Sequence, residues 1–381
     1  MNVKSLLSII NNISNDAFLS MKILLNNIDV IDDPLSMTSL YNGLSGLALL
    51  ETDIFSYSKK KKNLERAEYY LSNSFNIINK YKSKFNSGLF IGMAGHAWAE
   101  CRFTEATGHK GDRAIKILNY ILTKEKINHT KTHAYDIIRG DAGKGITFLY
   151  GYELFNNKKY FTYSRKIAQN MISNGSKYGV LINDYYSNNS KLLSFSHGAS
   201  GIIYFLYKLS LFTKDDKLNM MVNETINLLT NKMEITGNYA LWQEDIKKNY
   251  VTPYWCSGTS GICLLFTKIH NEIGDYSNII RMAVNSVNVA ASGSNTYGLC
   301  HGLAGIGEFI IEAENVTGIS FKDEKDRVLN FILSEYLNKR QMRYEKIVNP
   351  KISTEFMTGY PGIAHFILRY LDPSIKHFSL L

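Results

Sequence analysis

A Gly-x-x-Gly signature recurs seven times along the 381 residues of the chain, and it constrains the fold more than any other feature. The glycine pairs are Gly43/Gly46, Gly92/Gly95, Gly140/Gly143, Gly198/Gly201, Gly258/Gly261, Gly302/Gly305 and Gly359/Gly362. Such recurrence is typical of a repeat architecture. Glycines at these places allow a turn to pack closely and to take backbone conformations that a Cβ atom would forbid.

Each repeat combines two kinds of helical segment. Most glycine pairs are followed by a stretch that is apolar on nearly every side, such as Ile202–Leu206, which is typical of a helix buried all round. Between these stretches lie amphipathic segments, with apolar residues at helical spacing: Asn63–Tyr81, Asp112–Lys124, Tyr160–Ser173, Lys217–Met233, Tyr276–Val289 and Asp323–Leu337. Met1–Ser14 predicts a further amphipathic helix, whereas Tyr178–Tyr186 and Tyr239–Tyr250 predict loops or small hairpins.

The pattern predicts an all-α fold, an α/α toroid (double α-barrel) of seven outer and seven inner helices, because closing the repeats into a ring buries every inner helix. The alternative is an open solenoid of helix pairs. A solenoid needs polar repeats at its ends, and the first and last repeats here are as apolar as the middle ones. With only five prolines and no low-complexity run, residues 1–381 are predicted to form a single toroid domain.

Composition excludes several classes of function. The net charge is +9 at pH 7, but the basic residues are not interleaved with aromatics, so no nucleic-acid module is indicated. An acidic peptide partner stays open. Four cysteines without a disulfide pattern favour a reduced, cytoplasmic setting. The start of the chain lacks a signal-peptide cleavage site, and no apolar run approaches the roughly 18 residues that span a bilayer.

Residues directly before the glycine pairs would line a central cavity if all the turns face one end of the ring. Cys256 lies two residues before one pair, and Cys300 with His301 directly precedes the next. Two thiolates and an imidazole suit a zinc ion with one coordination position left open. The sequence therefore predicts that Cys256, Cys300 and His301 hold one Zn²⁺ per chain, against the alternative that buried cysteines are small core hydrophobes.

The remaining cysteines and two of the histidines are predicted to be structural. Cys101 and Cys263 do not directly precede a turn and are interpreted as core residues. His96, in the second inner helix, is interpreted as a satisfied core histidine or a cavity-lining group. His365 sits likewise in the last inner helix.

Asp136 and His197, before the third and fourth glycine pairs, are the candidate acid–base pair. A histidine near neutral pH gives and takes protons, and a carboxylate can orient it. The alternatives are that Asp136 caps a helix and that His197 is a structural hydrogen-bonding group. Asp141 competes with Asp136 and is interpreted as a turn or helix-start carboxylate.

These motifs resemble the lanthionine synthetase C-like (LanC-like) cyclases over nearly the whole chain. The resemblance rests on the seven glycine pairs together with Tyr135-Asp136, His197, Trp255-Cys256 and Cys300-His301. It implies an α/α toroid with zinc at the mouth of the ring. The implied reaction adds a peptide cysteine to dehydroalanine or dehydrobutyrine in a dehydrated precursor peptide, which leaves a lanthionine or methyllanthionine thioether ring.

The resemblance also implies roles and partners. Carried over by position, Cys256, Cys300 and His301 would ligate zinc, His197 would handle the proton and Asp136 would assist or orient it. The implied partners are the precursor peptide (leader plus core), a dehydratase and an ABC exporter. The enzyme would be cytoplasmic, with peripheral membrane association through those partners.

Two positions depart from the family pattern. An arginine is expected four residues before the first zinc cysteine, where this chain has Thr252, and a tyrosine or histidine often follows that cysteine, where it has Ser257. An arginine there could stabilise an enolate oxyanion. Arg139 and Lys144, beside the third turn, are the candidates to replace it.

Three further functions stay open. The chain could join a free thiol such as glutathione to dehydroamino acids, or serve as a non-catalytic scaffold that binds a leader peptide. A toroidal glycosidase needs two carboxylates at the mouth, and only Asp136 and Asp141 are available. The asparagine- and lysine-rich composition is typical of a low-GC bacterium and favours the peptide cyclase.

Overall fold

The computed structural model describes residues 2–26, 33, 35–81, 86–124, 135–175, 192–246, 250–340 and 354–381. Within these ranges the α-helices alternate between an outer and an inner layer. The outer helices are α1 (Val3–Asn26), α3 (Lys61–Tyr81), α5 (Asp112–Lys124), α7 (Lys158–Gly175), α9 (Asp216–Asn231), α11 (Ser277–Ala291) and α13 (Lys322–Arg340). The inner helices are α2 (Leu44–Ser58), α4 (Met93–Thr107), α6 (Asp141–Phe155), α8 (Ala199–Ser210), α10 (Thr259–Ile269), α12 (Leu303–Thr317) and α14 (Tyr360–Leu371).

The inner helices close into a ring. Each contacts the next along the chain, and the last one, α14, contacts the first one, α2. The outer helices pack against this ring, with α1 lying on α14 and α3 lying on α2. The predicted α/α toroid is therefore confirmed, and the open solenoid is excluded, because a solenoid would leave α2 and α14 apart.

Burial separates the two layers as the sequence pattern predicts. Every residue of α12 from 303 to 313 is buried, as expected of a helix enclosed on all sides. The outer helix α5 buries only Ala114, Ile117, Leu118 and Ile121, which form one face at helical spacing. The predicted helix at the start of the chain extends further than expected, to Asn26.

The glycine pairs are required by close approach of the backbone. Each inner helix begins directly after the first glycine of a pair; before α10, Gly258 has φ −134° and ψ −158°, an extended conformation open to any residue. The constraint lies in the space: a Cβ atom on Gly258 would lie 1.8 Å from the carbonyl oxygen of Thr252, and one on Gly261 would lie 1.8 Å from that of Trp255. The turn could not close around a larger residue.

A chain of backbone hydrogen bonds joins the seven turns at one end of the ring. It uses the residue two positions before each first glycine, and the N–H of one turn donates to the carbonyl of the next. The bonds are Tyr41 to Phe90, Phe90 to Ile138, Ser196 to Cys256, Cys256 to Cys300, Cys300 to Met357 and Met357 to Tyr41, at 2.8 to 3.2 Å. The repeats therefore present equivalent positions around a common mouth.

Few of the described residues are in β-strands. Strands β1 (Glu234–Thr236) and β2 (Tyr239–Leu241) form an antiparallel hairpin in which Ile235 pairs with Ala240. This hairpin covers the start of the aromatic-rich stretch predicted at Tyr239–Tyr250, whereas Tyr178–Tyr186 lies outside the described residues. None of the described helices combines the length and apolar composition needed to cross a membrane.

Candidate metal centre and acid–base pair

Two neighbouring turns bring Cys256, Cys300 and His301 together at the mouth of the ring. Their donor atoms all lie within 4.8 Å of one another. The turns are joined directly, because the Cys256 N–H donates to the Cys300 carbonyl at 3.0 Å. Cys300 is buried, Cys256 is half-buried and His301 is exposed, so the cluster is open on one side. This is the arrangement that a metal with an open coordination position needs.

The local electrostatics favour a thiolate at Cys256. Hydrogen bonds from Cys300, His301 and Ser257 outweigh burial and lower the pKa of Cys256 to about 5. The hydrogen bond between His301 and Cys256 outweighs burial and raises the pKa of His301. The separate hydrogen bond between Cys300 and Cys256, together with burial, raises the pKa of Cys300 well above its usual value. A deprotonated sulfur is the form that binds a metal. The donor set, in which Cys256 already favours its deprotonated form, therefore fits a zinc ion.

Thr252 and Ser257, the two departures from the family pattern, lie beside Cys256. Ser257 Oγ is 3.6 Å from Cys256 Sγ, and Thr252 Oγ1 is 3.1 Å from Ser257 Oγ. A pair of hydroxyls therefore stands where an arginine and an aromatic residue were expected. Hydroxyls donate hydrogen bonds to a thiolate without adding a charge.

The two candidates to replace the expected arginine are differently placed. The Lys144 ammonium is buried and lies 2.8 Å from Asp141 Oδ1, so its charge is neutralised within the third turn. The Arg139 side chain is exposed. Of the two residues, only Arg139 is exposed to solvent.

Tyr41 is a residue of this site that the sequence reasoning missed. Its phenol lies within hydrogen-bonding reach of Cys300, and burial together with Cys300 raises the pKa of Tyr41, which favours a protonated phenol that can donate to the sulfur. Tyrosine is not among the usual ligands of zinc, so a search of the sequence for metal ligands passes over Tyr41. Alignment of the turns was the available signal, because Tyr41 occupies the same place before its glycine as Cys256 and Cys300.

Asp136 and His197, the predicted acid–base pair, are also in contact. His197 Nδ1 lies 2.9 Å from Asp136 Oδ2. Asp136 is buried, whereas 26% of the His197 side chain is exposed. The other oxygen of Asp136 accepts the backbone N–H groups of Arg139 and Gly140, at 2.7 and 3.0 Å. Asp136 thus holds the third turn in shape and orients the imidazole at the same time, which combines the two interpretations that the sequence left open.

A short connection links this pair to the cysteine cluster. Ser196, directly before His197, donates to the Cys256 carbonyl both from its N–H, at 3.2 Å, and from its hydroxyl, at 2.5 Å. The turn that carries His197 is therefore fixed to the turn that carries Cys256. Reactive groups from the third to the sixth repeat share one arc of the mouth.

The residues predicted to be structural are all buried. Cys101 and Cys263 are fully buried, and burial raises the pKa of both thiols. His96 is buried with Nε2 3.5 Å from Glu100, and His365 is buried with Nδ1 2.7 Å from Glu308. Asp141 is the first residue of α6, as expected of a helix-start carboxylate.

Comparison with known proteins gives consistent relatives. The chain is 23% identical over 287 residues to glutathione S-transferase LANCL1 of Danio rerio, covering 72% of this chain and 68% of that protein. It is 25% identical over 372 residues to the lacticin 481/lactococcin biosynthesis protein LcnDR2 of Lactococcus lactis subsp. lactis, covering 90% of this chain but only 37% of that protein. The solved structure of nisin cyclase shares the fold, with a TM-score of 0.66, 16% identity and coverage of 93% and 94%.

The family assignment rests on a match to most of the chain. Residues 35–381 match the model of the lanthionine synthetase C-like proteins. This range contains all seven glycine pairs, the cysteine cluster and the Asp136–His197 pair. The chain therefore belongs to the lanthionine synthetase C-like family.

Proposed function

We propose that this chain is a zinc-dependent lanthipeptide cyclase, which adds cysteine thiols of a dehydrated precursor peptide to dehydroalanine or dehydrobutyrine and forms (methyl)lanthionine rings. The observation that carries the proposal is the convergence of Cys256, Cys300 and His301, whose donor atoms all lie within 4.8 Å of one another. The partly exposed His197, which binds Asp136, lies on the neighbouring turn. The similarity to LcnDR2 supports the peptide as substrate.

Cys256, Cys300 and His301 would hold the zinc ion. Two thiolates would cancel its double positive charge, and the open side of the cluster would leave room for a substrate thiol. A bound zinc ion would supply Lewis acidity that lowers the pKa of that thiol and keeps it as a thiolate near neutral pH. Tyr41 and Ser257 would hold the two protein sulfurs by hydrogen bonds.

His197 would move the proton of the reaction. The addition forms a bond between the substrate sulfur and the β-carbon, and the electron pair of the carbon–carbon double bond shifts towards the α-carbon and its carbonyl. Because Asp136 accepts from Nδ1, Nε2 is the atom of His197 that exchanges protons. A proton from Nε2 would complete the α-carbon, and the thiol proton would restore the imidazolium. The net change is an isomerisation.

The chain's partners follow from this function. The substrate would be a precursor peptide with leader and core, delivered by a dehydratase and removed by an ABC exporter. Such a pathway places the enzyme in the cytoplasm, held peripherally at the membrane by its partners. The similarity to LcnDR2, whose name describes a biosynthesis protein, supports a place in such a pathway.

The first test is metal content. Mass spectrometry of the purified chain is expected to give about one zinc per chain, and Cys256→Ala is expected to lose it. The wild type should then consume the free thiols of a dehydrated precursor peptide without changing its mass. A folded wild-type protein that was never exposed to chelator and contains no zinc would rule out this mechanism and leave a peptide-binding scaffold.

A second candidate function is the addition of glutathione to dehydroamino acids. The 23% identity to glutathione S-transferase LANCL1 favours it, and the same donor set would serve it. The two functions separate on a dehydrated peptide that lacks cysteine. Incubation with glutathione would raise the peptide mass by one glutathione for each modified residue if the transferase proposal is correct, and would leave it unchanged for a dedicated cyclase.

A further inference from the structure

The segment after α14, residues 372–381, turns back into the ring of inner helices. His377, Phe378, Ser379 and Leu380 are buried. Three inner helices hold the segment by hydrogen bonds: Arg369 of α14 donates to the Ile375 carbonyl at 2.7 Å, Arg102 of α4 donates to the His377 carbonyl at 3.3 Å, and Tyr204 of α8 accepts from the Leu381 N–H at 2.8 Å. Because these helices lie on different sides of the ring, the segment runs through its interior.

Phe378 brings this segment into contact with three turns of the mouth. Its ring centroid lies 5.4 Å from that of Trp255, 6.1 Å from that of Phe356 and 6.4 Å from that of Phe90. All four rings are fully buried. These separations and the tilted or edge-to-face angles are those at which aromatic rings attract each other. Phe378 is thus the centre of an aromatic layer beneath the turns.

Two residues of this layer connect to the metal-ligand candidates, one through the chain and one through a backbone hydrogen bond. Trp255 directly precedes Cys256, and Phe356 directly precedes Met357, whose carbonyl accepts the Cys300 N–H at 2.9 Å. A shift of Trp255 or Phe356 would therefore move the backbone of one cysteine relative to the other. Close-packed interiors transmit such shifts because they have no empty space to absorb them.

We infer that Phe378 is a positioning residue for the metal centre, which sets the separation of the Cys256 and Cys300 turns from below. The role rests on the metal site proposed above and adds to it an element about 80 residues further along the chain than Cys300. Metal sites tolerate errors of only about 0.2 Å in ligand distance, so a support that fixes two turns affects affinity directly.

The test compares substitutions in two buried aromatic residues. Phe378→Ala and Phe378→Leu remove all or part of the ring that contacts the turns. The control is Phe148→Ala, because Phe148 in α6 is equally buried but packs against Tyr160 and Tyr163 of the outer helix α7, at 5.5 and 4.5 Å. Both alanine variants create a cavity of similar size and should lower the unfolding midpoint.

The readouts are zinc affinity, from competition with a chromophoric chelator, and the thiolate-to-metal absorption band of the cobalt-substituted protein. Phe378→Ala is expected to lower zinc affinity by about 10- to 100-fold and to shift the band, with a smaller change for Phe378→Leu. Phe148→Ala is expected to leave both unchanged. If Phe378→Ala does not fold, Phe378→Leu decides the comparison.

Two results would overturn the inference. One is a Phe378 variant with wild-type zinc affinity and an unshifted cobalt band, provided that the wild-type protein itself binds zinc and cyclises peptide. The other is an equal loss of affinity in the Phe148 control, which would make the effect one of general stability. Failure of the wild type to bind zinc would be a different result, because it would remove the proposed metal site itself.

Discussion

The histidine–carboxylate contacts of His197 and His365 lie at different depths in the molecule. His197 at the mouth binds Asp136 at 2.9 Å and keeps 26% of its side chain exposed. His365 in the ring interior is fully buried, with Nδ1 2.7 Å from Glu308 and Nε2 3.3 Å from Asp53. Burial alone would lower the pKa of His365, but Glu308 and Asp53 outweigh it and raise the pKa.

The difference shows what separates a reactive histidine from a structural one. The two carboxylates favour the charged form of His365, and the Arg369 guanidinium binds Glu308 and Glu312. Both nitrogens of His365 face carboxylates inside the core, so it has no route to exchange a proton with substrate. His197 uses one nitrogen to bind Asp136 and lies partly in solvent. The chemistry of the residues is the same, and the surroundings decide their roles.

The largest expected effect comes from breaking the mouth cluster. Cys300→Ala should abolish metal binding and cyclisation, because it removes one of three protein ligands. The helical fold should be largely retained, since the ring is held by its own core, and circular dichroism with metal analysis would measure both. Cys263→Ala is the matched control, a buried cysteine in α10 outside the cluster. Global unfolding of Cys300→Ala alone would mean that the metal is structural.

Replacing each of the two histidines by glutamine sharpens the comparison. His197→Gln should lower the cyclisation rate by about 10²- to 10⁴-fold, because the amide can still donate to Asp136 but cannot transfer a proton. Metal content and unfolding midpoint should stay close to wild type. His365→Gln should show the reverse pattern, with reduced stability and wild-type metal content. An equal loss of activity in both variants, measured per folded molecule, would contradict the assignment of roles.

The interior network can be broken from the carboxylate side. Glu308→Gln should destabilise the fold by about 3–5 kcal/mol, because it leaves His365 and Arg369 without their shared buried partner. Denaturant unfolding measures the effect. Glu65→Gln is the control: Glu65 pairs with Lys61 at 3.3 Å on the exposed face of α3, where an ion pair contributes about 0–1 kcal/mol. A loss in Glu308→Gln no larger than in the control would show that the network contributes little.

The Glu308 carboxylate also makes the stability of the fold depend on pH. Burial would raise the pKa of Glu308, but Arg369 and His365 outweigh it and hold the pKa at about 2. A carboxyl with a folded pKa below its unfolded value of about 4.3 stabilises the fold above that value. This contribution is lost as the pH falls towards 2. The stability difference between wild type and Glu308→Gln should therefore narrow from pH 5 to pH 2, and a constant difference would contradict the charged state.

The amino-acid pattern was sufficient to predict helices, turns and ligand candidates, because these depend on local periodicity and on short motifs. Asp112–Lys124 is a helix with the predicted bounds, and Cys256 meets Cys300 because the repeats bring equivalent positions together. Contacts between distant repeats were not predictable in this way. Tyr41 reaches Cys300 only when the ring of inner helices closes. Phe378 reaches Trp255 only when residues 372–381 enter the interior of that ring. Neither carries a motif.

The smallest expected effect tests the contact that the sequence did not reveal. Tyr41→Phe removes one hydrogen bond to the Cys300 sulfur and leaves the ring in place, so the packing of the first turn should not change. A single hydrogen bond contributes about 0.5–1.5 kcal/mol, which corresponds to about a two- to tenfold loss of zinc affinity. Chelator competition measures it. Tyr370→Phe is the matched control, because the Tyr370 hydroxyl donates to Asp326 of α13, away from the cluster. Equal affinities of Tyr41→Phe and Tyr370→Phe would mean that Tyr41 packs beside the centre without holding its sulfur.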